Sequence, residues 1–320
     1  MLARGSRALL SLLFWQATIV CGAVSPDPRL VQMVPPGNPI VAGVRSTSGS
    51  DLPRNYLMIT QDNRVDLDDF LALTGMDPSR IIREVIFVGG DLAASGREHS
   101  LLISGVFGRG AILKYADGVR ARTAEYRGIP VLAVWPFERE REYIKSRRWL
   151  AILESNIAVF GTEASVQCEL DRYLDGSRAD SALVEKLDRL SKKDVSWSVV
   201  AIPLSGEHLK RVFGLLDPEM GKAVEAGGVF QLGFQFGRQV TVEYELTTVP
   251  ASLSASSDGF IPEDQSDELS RVGSSLLSLA SHDKRGETIH GSVKVPMHRY
   301  EEWLTKMLAV TGTRDAASSN

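Results

Sequence analysis

The sequence predicts an α+β protein of two similar halves, each an antiparallel sheet with amphipathic helices packed on one face. Three observations carry that expectation. Phe230, Leu232, Phe234 and Phe236, then Val240, Val242, Tyr244 and Leu246, alternate with Gln231, Gln235, Thr241, Glu243 and Glu245, the period of a half-solvated antiparallel hairpin. Tyr300, Trp303, Leu304, Met307 and Leu308 follow the i, i+3, i+4, i+7, i+8 spacing of a helix that buries one stripe. Strand patterns also run almost directly into helical ones, at 101–107 before Ile112, 157–160 before Val166, 197–202 before Leu209 and 289–295 before Tyr300.

The chain opens with Arg4 and Arg7, an apolar run over 8–20, and Cys21-Gly22-Ala23 before Pro26. A basic segment, an apolar segment and small residues in that order form a secretory signal peptide, here cleaved near Ala23. Gln16 interrupts the run and Gly22 stops it, short of the roughly 20 apolar residues of a spanning helix, so no permanent membrane span is expected. Cys21 is the alternative, lipidated end of the leader. Val20 argues against it, because a bulky branched residue sits where a lipoprotein peptidase needs a small one.

Beyond the leader, Pro35 and Pro36 block helix before a strand at 40–44. Asp66 caps a short helix with Leu67, Phe70 and Leu71 on one face, ending at Gly75. Strands follow at 82–88 and 100–107, then a hairpin pairing 120–126 with 129–134. Val166, Leu170, Tyr173 and Leu174 form one helical stripe; Leu209, Val212, Phe213 and Leu216 form another, and Leu269, Val272, Leu276 and Ala280 a third. Gly237 suits the first position of a type II′ turn in the hairpin. The division expected is a signal peptide at 1–23, a first half at 24–177, a second at 178–310, and a disordered tail at 311–320 without apolar anchors. The boundary is placed near 175–180, at Gly176-Ser177, and the serine-rich stretch 249–258 reads as a mobile loop.

Val34-Pro35-Pro36-Gly37, Ile40-Val41-Ala42-Gly43, Thr74-Gly75-Met76-Asp77-Pro78 with Arg83-Glu84, and the strand-to-helix turn containing Gly161 resemble a family of uncharacterised exported bacterial proteins. The likeness covers roughly residues 30–175, with 139–148 as an insertion. It implies export and supplies no functional residue.

Composition excludes several classes. The net charge of −4 disfavours nucleic acid, and the one dense basic stretch, 139–148, is interleaved with Glu138, Glu140 and Glu142. Loss of Cys21 would leave Cys168 as the lone thiol, so stability must come from burial, for which 43% hydrophobic residues suffice. Cys168 lies off its helix's apolar stripe without a neighbour to activate it.

Chemical motifs are weak. His282, His290 and His298, with Asp283, Glu287, Glu301 and Glu302, lack the spacing of a zinc site. Ser281-His282-Asp283-Lys284 spells S-x-x-K, but no G-x-S-x-G elbow or companion motif accompanies it, and Ser281 is expected to end the helix running to Ala280. Gly105, Gly108 and Gly110, near Arg109 and Lys114, have the wrong order for a phosphate loop and read as turn glycines. Asp66, Asp68 and Asp69, and Glu263, Asp264 and Asp267, read as helix-start carboxylates.

No catalytic, cofactor-binding or metal-ligating residue is therefore assigned. The leading expectation is an exported, non-enzymatic binding or envelope-associated module, with a protein or an apolar ligand as partner. The alternatives are a periplasmic hydrolase using Ser281, His290 and His298, and a carrier of an apolar ligand between the halves. Phe230, Leu232, Phe234, Phe236, Val240, Val242, Trp303 and Leu304 are expected in the core.

Overall fold

A computed structural model describes residues 26–38, 40–45, 81–89, 99–108, 110, 113, 116, 121–134, 148–189, 196–202, 228–236, 238–248 and 281–302. The leader, the expected helices at 66–75, 209–216 and 269–280, the stretch 249–258, Trp303, Leu304 and the tail lie outside them.

The strands are β1 (Ile40–Arg45), β2 (Ile82–Gly89), β3 (His99–Gly105), β4 (Arg122–Tyr126), β5 (Ile129–Val134), β6 (Arg148–Leu153), β7 (Ile157–Thr162), β8 (Ser196–Ile202), β9 (Gly228–Phe236), β10 (Gln239–Thr248), β11 (Ser281–Arg285) and β12 (Thr288–Pro296). The helices are α1 (Pro28–Met33), α2 (Glu163–Leu174) and α3 (Ser181–Arg189), and residues 297–302 are helical. All twelve strands belong to one sheet, in the order β11-β12-β10-β9-β8-β1-β2-β3-β7-β6-β5-β4, and every pairing is antiparallel.

This corrects the expectation of two halves with a sheet each. A strand has two hydrogen-bonding edges, and β1 gives one to β2 and the other to β8, with Val41 opposite both Val88 and Val199. Strands β8 to β12 therefore extend the first sheet. The strand-then-helix recurrence is a local pattern that carries no information about which edge a distant strand will choose.

Register sorts the side chains onto two faces, because directly opposed residues share a face. One face carries Val41, Ile86, Leu102, Val159, Ala151, Val131 and Trp197, which form a single cluster with Leu30 and Met33 of α1, Val166 and Leu170 of α2, and Leu183 and Leu187 of α3. The stretch expected to separate two halves thus joins two helices that cover the same core. The other face buries Phe87, Leu101, Ile103, Leu150 and Phe160, and continues across the sheet as Phe234, Val240, Val242, Val293 and Val295 against Tyr300. Each large apolar side chain so buried contributes about 1.5–3 kcal/mol.

The caps and turns follow local chemistry. Asp27 accepts from Arg29 N at 3.0 Å ahead of Pro28, and its own N–H donates to Glu84 Oε2 at 2.8 Å, tying α1 to β2. Arg45 pairs with the same carboxylate at 3.2 Å. The β4–β5 hairpin closes through Arg127 (φ 50°) and Gly128 (φ 83°), both left-handed as a type I′ turn requires. In the β9–β10 hairpin the expected faces hold. Phe234, Val240 and Val242 are buried, whereas Phe230, Leu232 and Phe236 are only half-buried.

Candidate functional site

The helix-side face changes character at β9. Through β8 it is apolar and covered; beyond it the same rows become polar. One row reads Val199, Gln231, Glu245, His290, Asp283 across β8, β9, β10, β12 and β11, and the next reads Trp197, Gly233, Glu243, Ser292, Ser281. The alternation that buries Phe234 and Val242 on one side must present these residues on the other. Arg189, the last residue of α3, reaches this polar region because Leu183 and Leu187 anchor its helix on the neighbouring apolar half. The result is an open groove of about 360 Å³ lined by Arg189, Gln231, Glu243, Glu245, Ser281, Asp283, His290 and Ser292, with Tyr244 and Gly291.

Glu245 organises the groove. Its Oε1 accepts from Arg189 Nη1 at 3.2 Å, Gln231 Nε2 at 3.4 Å and Thr247 Oγ1 at 3.3 Å, and its Oε2 faces His290 Nδ1 at 3.2 Å. The carboxylate is 12% exposed, while His290 and Arg189 are nearly half exposed. Arg189 also pairs with Glu185 at 2.5 Å, and the two carboxylates, Glu185 foremost, hold its guanidinium above the ordinary arginine range. Glu243 accepts from Gln235 at 3.4 Å, and Asp283 pairs with Arg285 at 2.9 Å. Gln231 is the deepest member, 2% exposed, and its Oε1 has no hydrogen-bond partner among the described residues.

Of the residues singled out from the sequence, Ser281, Asp283 and His290 meet here. Ser281 opens β11 instead of ending a helix, so the S-x-x-K residues run along a strand and the lysine is not stacked one helical turn from the serine. The Ser281 hydroxyl donates to the Ser292 carbonyl at 3.3 Å. His298 stands apart, exposed in the helical segment beyond β12, as do Glu301 and Glu302; Glu287 is in the β11–β12 turn. Among the described residues no group of three or more His, Cys, Asp or Glu side chains is placed to hold a metal ion. At the end of β3 three amides are engaged by the chain itself: Gly105 N donates to Asn156 O, Val106 N to Ile81 O and Phe107 N to Ser155 O. Arg109 and Lys114 lie outside the described residues. Cys168 is exposed on α2.

A second polar group is sealed in. Glu169 of α2 is 1% exposed and accepts from the Ser100 hydroxyl of β3, while its Oε2 has no partner among the described residues. Burial pushes its carboxyl up to about 8, against the opposing effect of the Ser100 bond. It belongs to the core.

No helix among the described residues is long and apolar enough to cross a membrane. No family model and no curated protein matches the chain. Among solved structures the chain is similar to three crystal forms of TP0453. Form I is 12% identical with a TM-score of 0.49, covering 89% of this chain and 98% of that one. Form III is 14% identical with a TM-score of 0.45, covering 84% and 94%, and form IV is 12% identical with a TM-score of 0.45, covering 91% and 97%.

Proposed function

We propose that this is an exported, non-enzymatic binding protein whose ligand occupies the polar groove beside Glu245. The supporting observation is an open cavity of about 360 Å³, a size suited to a small molecule, in which pre-paired polar side chains converge while the apolar residues are engaged in the two packed faces. Export is supported by the order of basic, apolar and small residues in the first 23 positions.

A ligand-observed NMR screen of polar fragments against the mature protein tests the reading, together with mass and cell fractionation of the expressed chain. Saturable fragment binding and an exported product lacking residues 1–23 are expected. Absence of any saturable binder would defeat the groove reading, and a cytoplasmic, unprocessed chain would defeat export.

One observation favours a second reading, hydrolysis. His290 Nδ1 lies against Glu245, as a base lies against its orienting carboxylate, and Ser281 shares the groove. Against it stands the Ser281 hydroxyl, bonded to the Ser292 carbonyl. Turnover of p-nitrophenyl acetate that is abolished by both Ser281→Ala and His290→Ala would establish it over the binding reading.

A further inference from the structure

Independently of the groove, which lies at the other end of the sheet, we infer that β4 is a docking edge for a second copy of this chain, the two β4 strands pairing antiparallel about a two-fold axis at Ala124. The backbone fixes which groups are open. Arg127 and Gly128 form the turn of the β4–β5 hairpin, so Tyr126 and Ile129 exchange hydrogen bonds. The alternation of an antiparallel ladder then turns the N–H and C=O of Arg122, Ala124 and Tyr126 toward β5, and those of Thr123 and Glu125 outward. Pro130, opposite Glu125, agrees with that phase, because it has no N–H to give. Arg122, Thr123 and Glu125 are exposed, and β4 ends the sheet among the described residues.

One register satisfies these groups in both copies. With Thr123 opposite Glu125 of the second copy, and the reverse, every outward N–H and C=O of the two strands is used, while Ala124 faces Ala124 and Arg122 faces Tyr126. Sliding to the next symmetric register in one direction sets Glu125 against Glu125; in the other it calls on the Ala121 N–H, already given to Ala116 O at 3.0 Å. Side chains favour the same match. Arg122 and Glu125 are engaged by no other side chain among the described residues, and Arg122 meets the half-buried Tyr126 ring, a cation against an aromatic face. The edge is also held ready: the Tyr126 hydroxyl donates to Asp171 at 2.9 Å, and Arg127 pairs with Asp171 and Asp175, each at 2.7 Å, so little ordering is left for association to supply. At the opposite edge, β11 reads Ser-His-Asp-Lys-Arg, with the lysine and charge that keep edges apart, whereas β4 has no lysine, proline or bulge. Strands this short make a small interface, so the dimer is concentration-dependent; it leaves the two grooves at the outer ends of one continuous sheet.

Sedimentation equilibrium of the mature protein, from about 5 μM to about 1 mM, tests this. A monomer–dimer equilibrium is expected, with a dissociation constant on the order of 100 μM. Ala124→Lys sets two like charges together on the axis, and Thr123→Pro removes an outward donor without a bond to β5; each should weaken the dimer at least about tenfold. In a Cys168→Ser background, Ala124→Cys should form an intermolecular disulfide under mild oxidation. Thr123→Cys, which faces Glu125 instead of its own copy, should do so at least about tenfold more slowly. A chain that stays monomeric to about 1 mM, self-association that both substitutions leave intact, assemblies that grow beyond two copies, or equal cross-linking of the two cysteines overturns the inference.

Discussion

Gly43 lies directly beneath the indole of Trp197: a β-carbon on Gly43 would stand 2.2 Å from Trp197 Cε2. The two residues are opposite one another in the β1–β8 pairing, at the seam where the two ends of the sequence become one sheet. Only a residue without a side chain lets the ring lie flat there. The indole in turn joins the helix-covered core a short way from the polar groove.

Replacing Gly43 with alanine must therefore displace a buried indole. The expected cost is about 1–3 kcal/mol, read as a lowered urea midpoint. Because the seam is continuous sheet, the variant should still unfold in one transition. Loss of less than about 0.5 kcal/mol, within the range of neutral surface changes, would mean that the ring does not cover this position.

Glu169 predicts a pH dependence. Its folded carboxyl titrates at about 8, against an ordinary value of 4.5, so between those values the folded state holds a proton that the unfolded chain has released. Stability from this group is accordingly full below pH 4.5, falls as pH rises toward 8, and levels off above it, a change on the order of a few kcal/mol. Glu169→Gln should flatten that fall and unfold at higher urea than the parent at alkaline pH. Parallel pH profiles for the two proteins would contradict the buried, protonated carboxyl.

Glu245→Ala removes the acceptor shared by Arg189, Gln231, Thr247 and His290. About 1–2 kcal/mol should be lost, chiefly from the buried Gln231 amide left without a partner. Arg189→Ala, which removes a half-exposed guanidinium and leaves Glu245 its other donors, should cost no more than about 0.5 kcal/mol. Thermal or urea unfolding of both variants measures the contrast; equal losses would mean that the groove is held by its surface ion pairs.

The hairpin was legible because alternation in β9 and β10 is a property of consecutive residues, and the strand placement of His290 followed from the same signal. Joining the halves was not, since Val41 and Val199 are brought together by a pairing between distant strands. Ser281 was misread because Ser-His-Asp-Lys-Arg has little intrinsic strand preference; pairing with β12 makes it a strand, and its charges suit an exposed sheet edge. Arg189, Gln231 and Glu245 escaped notice for a related reason. Glutamine and glutamate on the polar side of a hairpin have the same sequence signature whether solvated or buried, and nothing near Arg189 announces which strand its helix will reach. The one usable hint was that Gln231, Glu243 and Glu245 fall on the polar side of the hairpin's alternation, with His290 in a later strand pattern.

The most direct test is a protein-observed NMR map of the mature chain during titration with the best fragment from the screen, following the side-chain amide of Gln231 and the backbone amides of Glu245, His290 and Ser292. Saturable shifts concentrated on those four residues are expected. Shifts confined to the apolar faces around Phe160 or Val242, with the groove resonances still, would contradict the polar groove as the working surface of this protein.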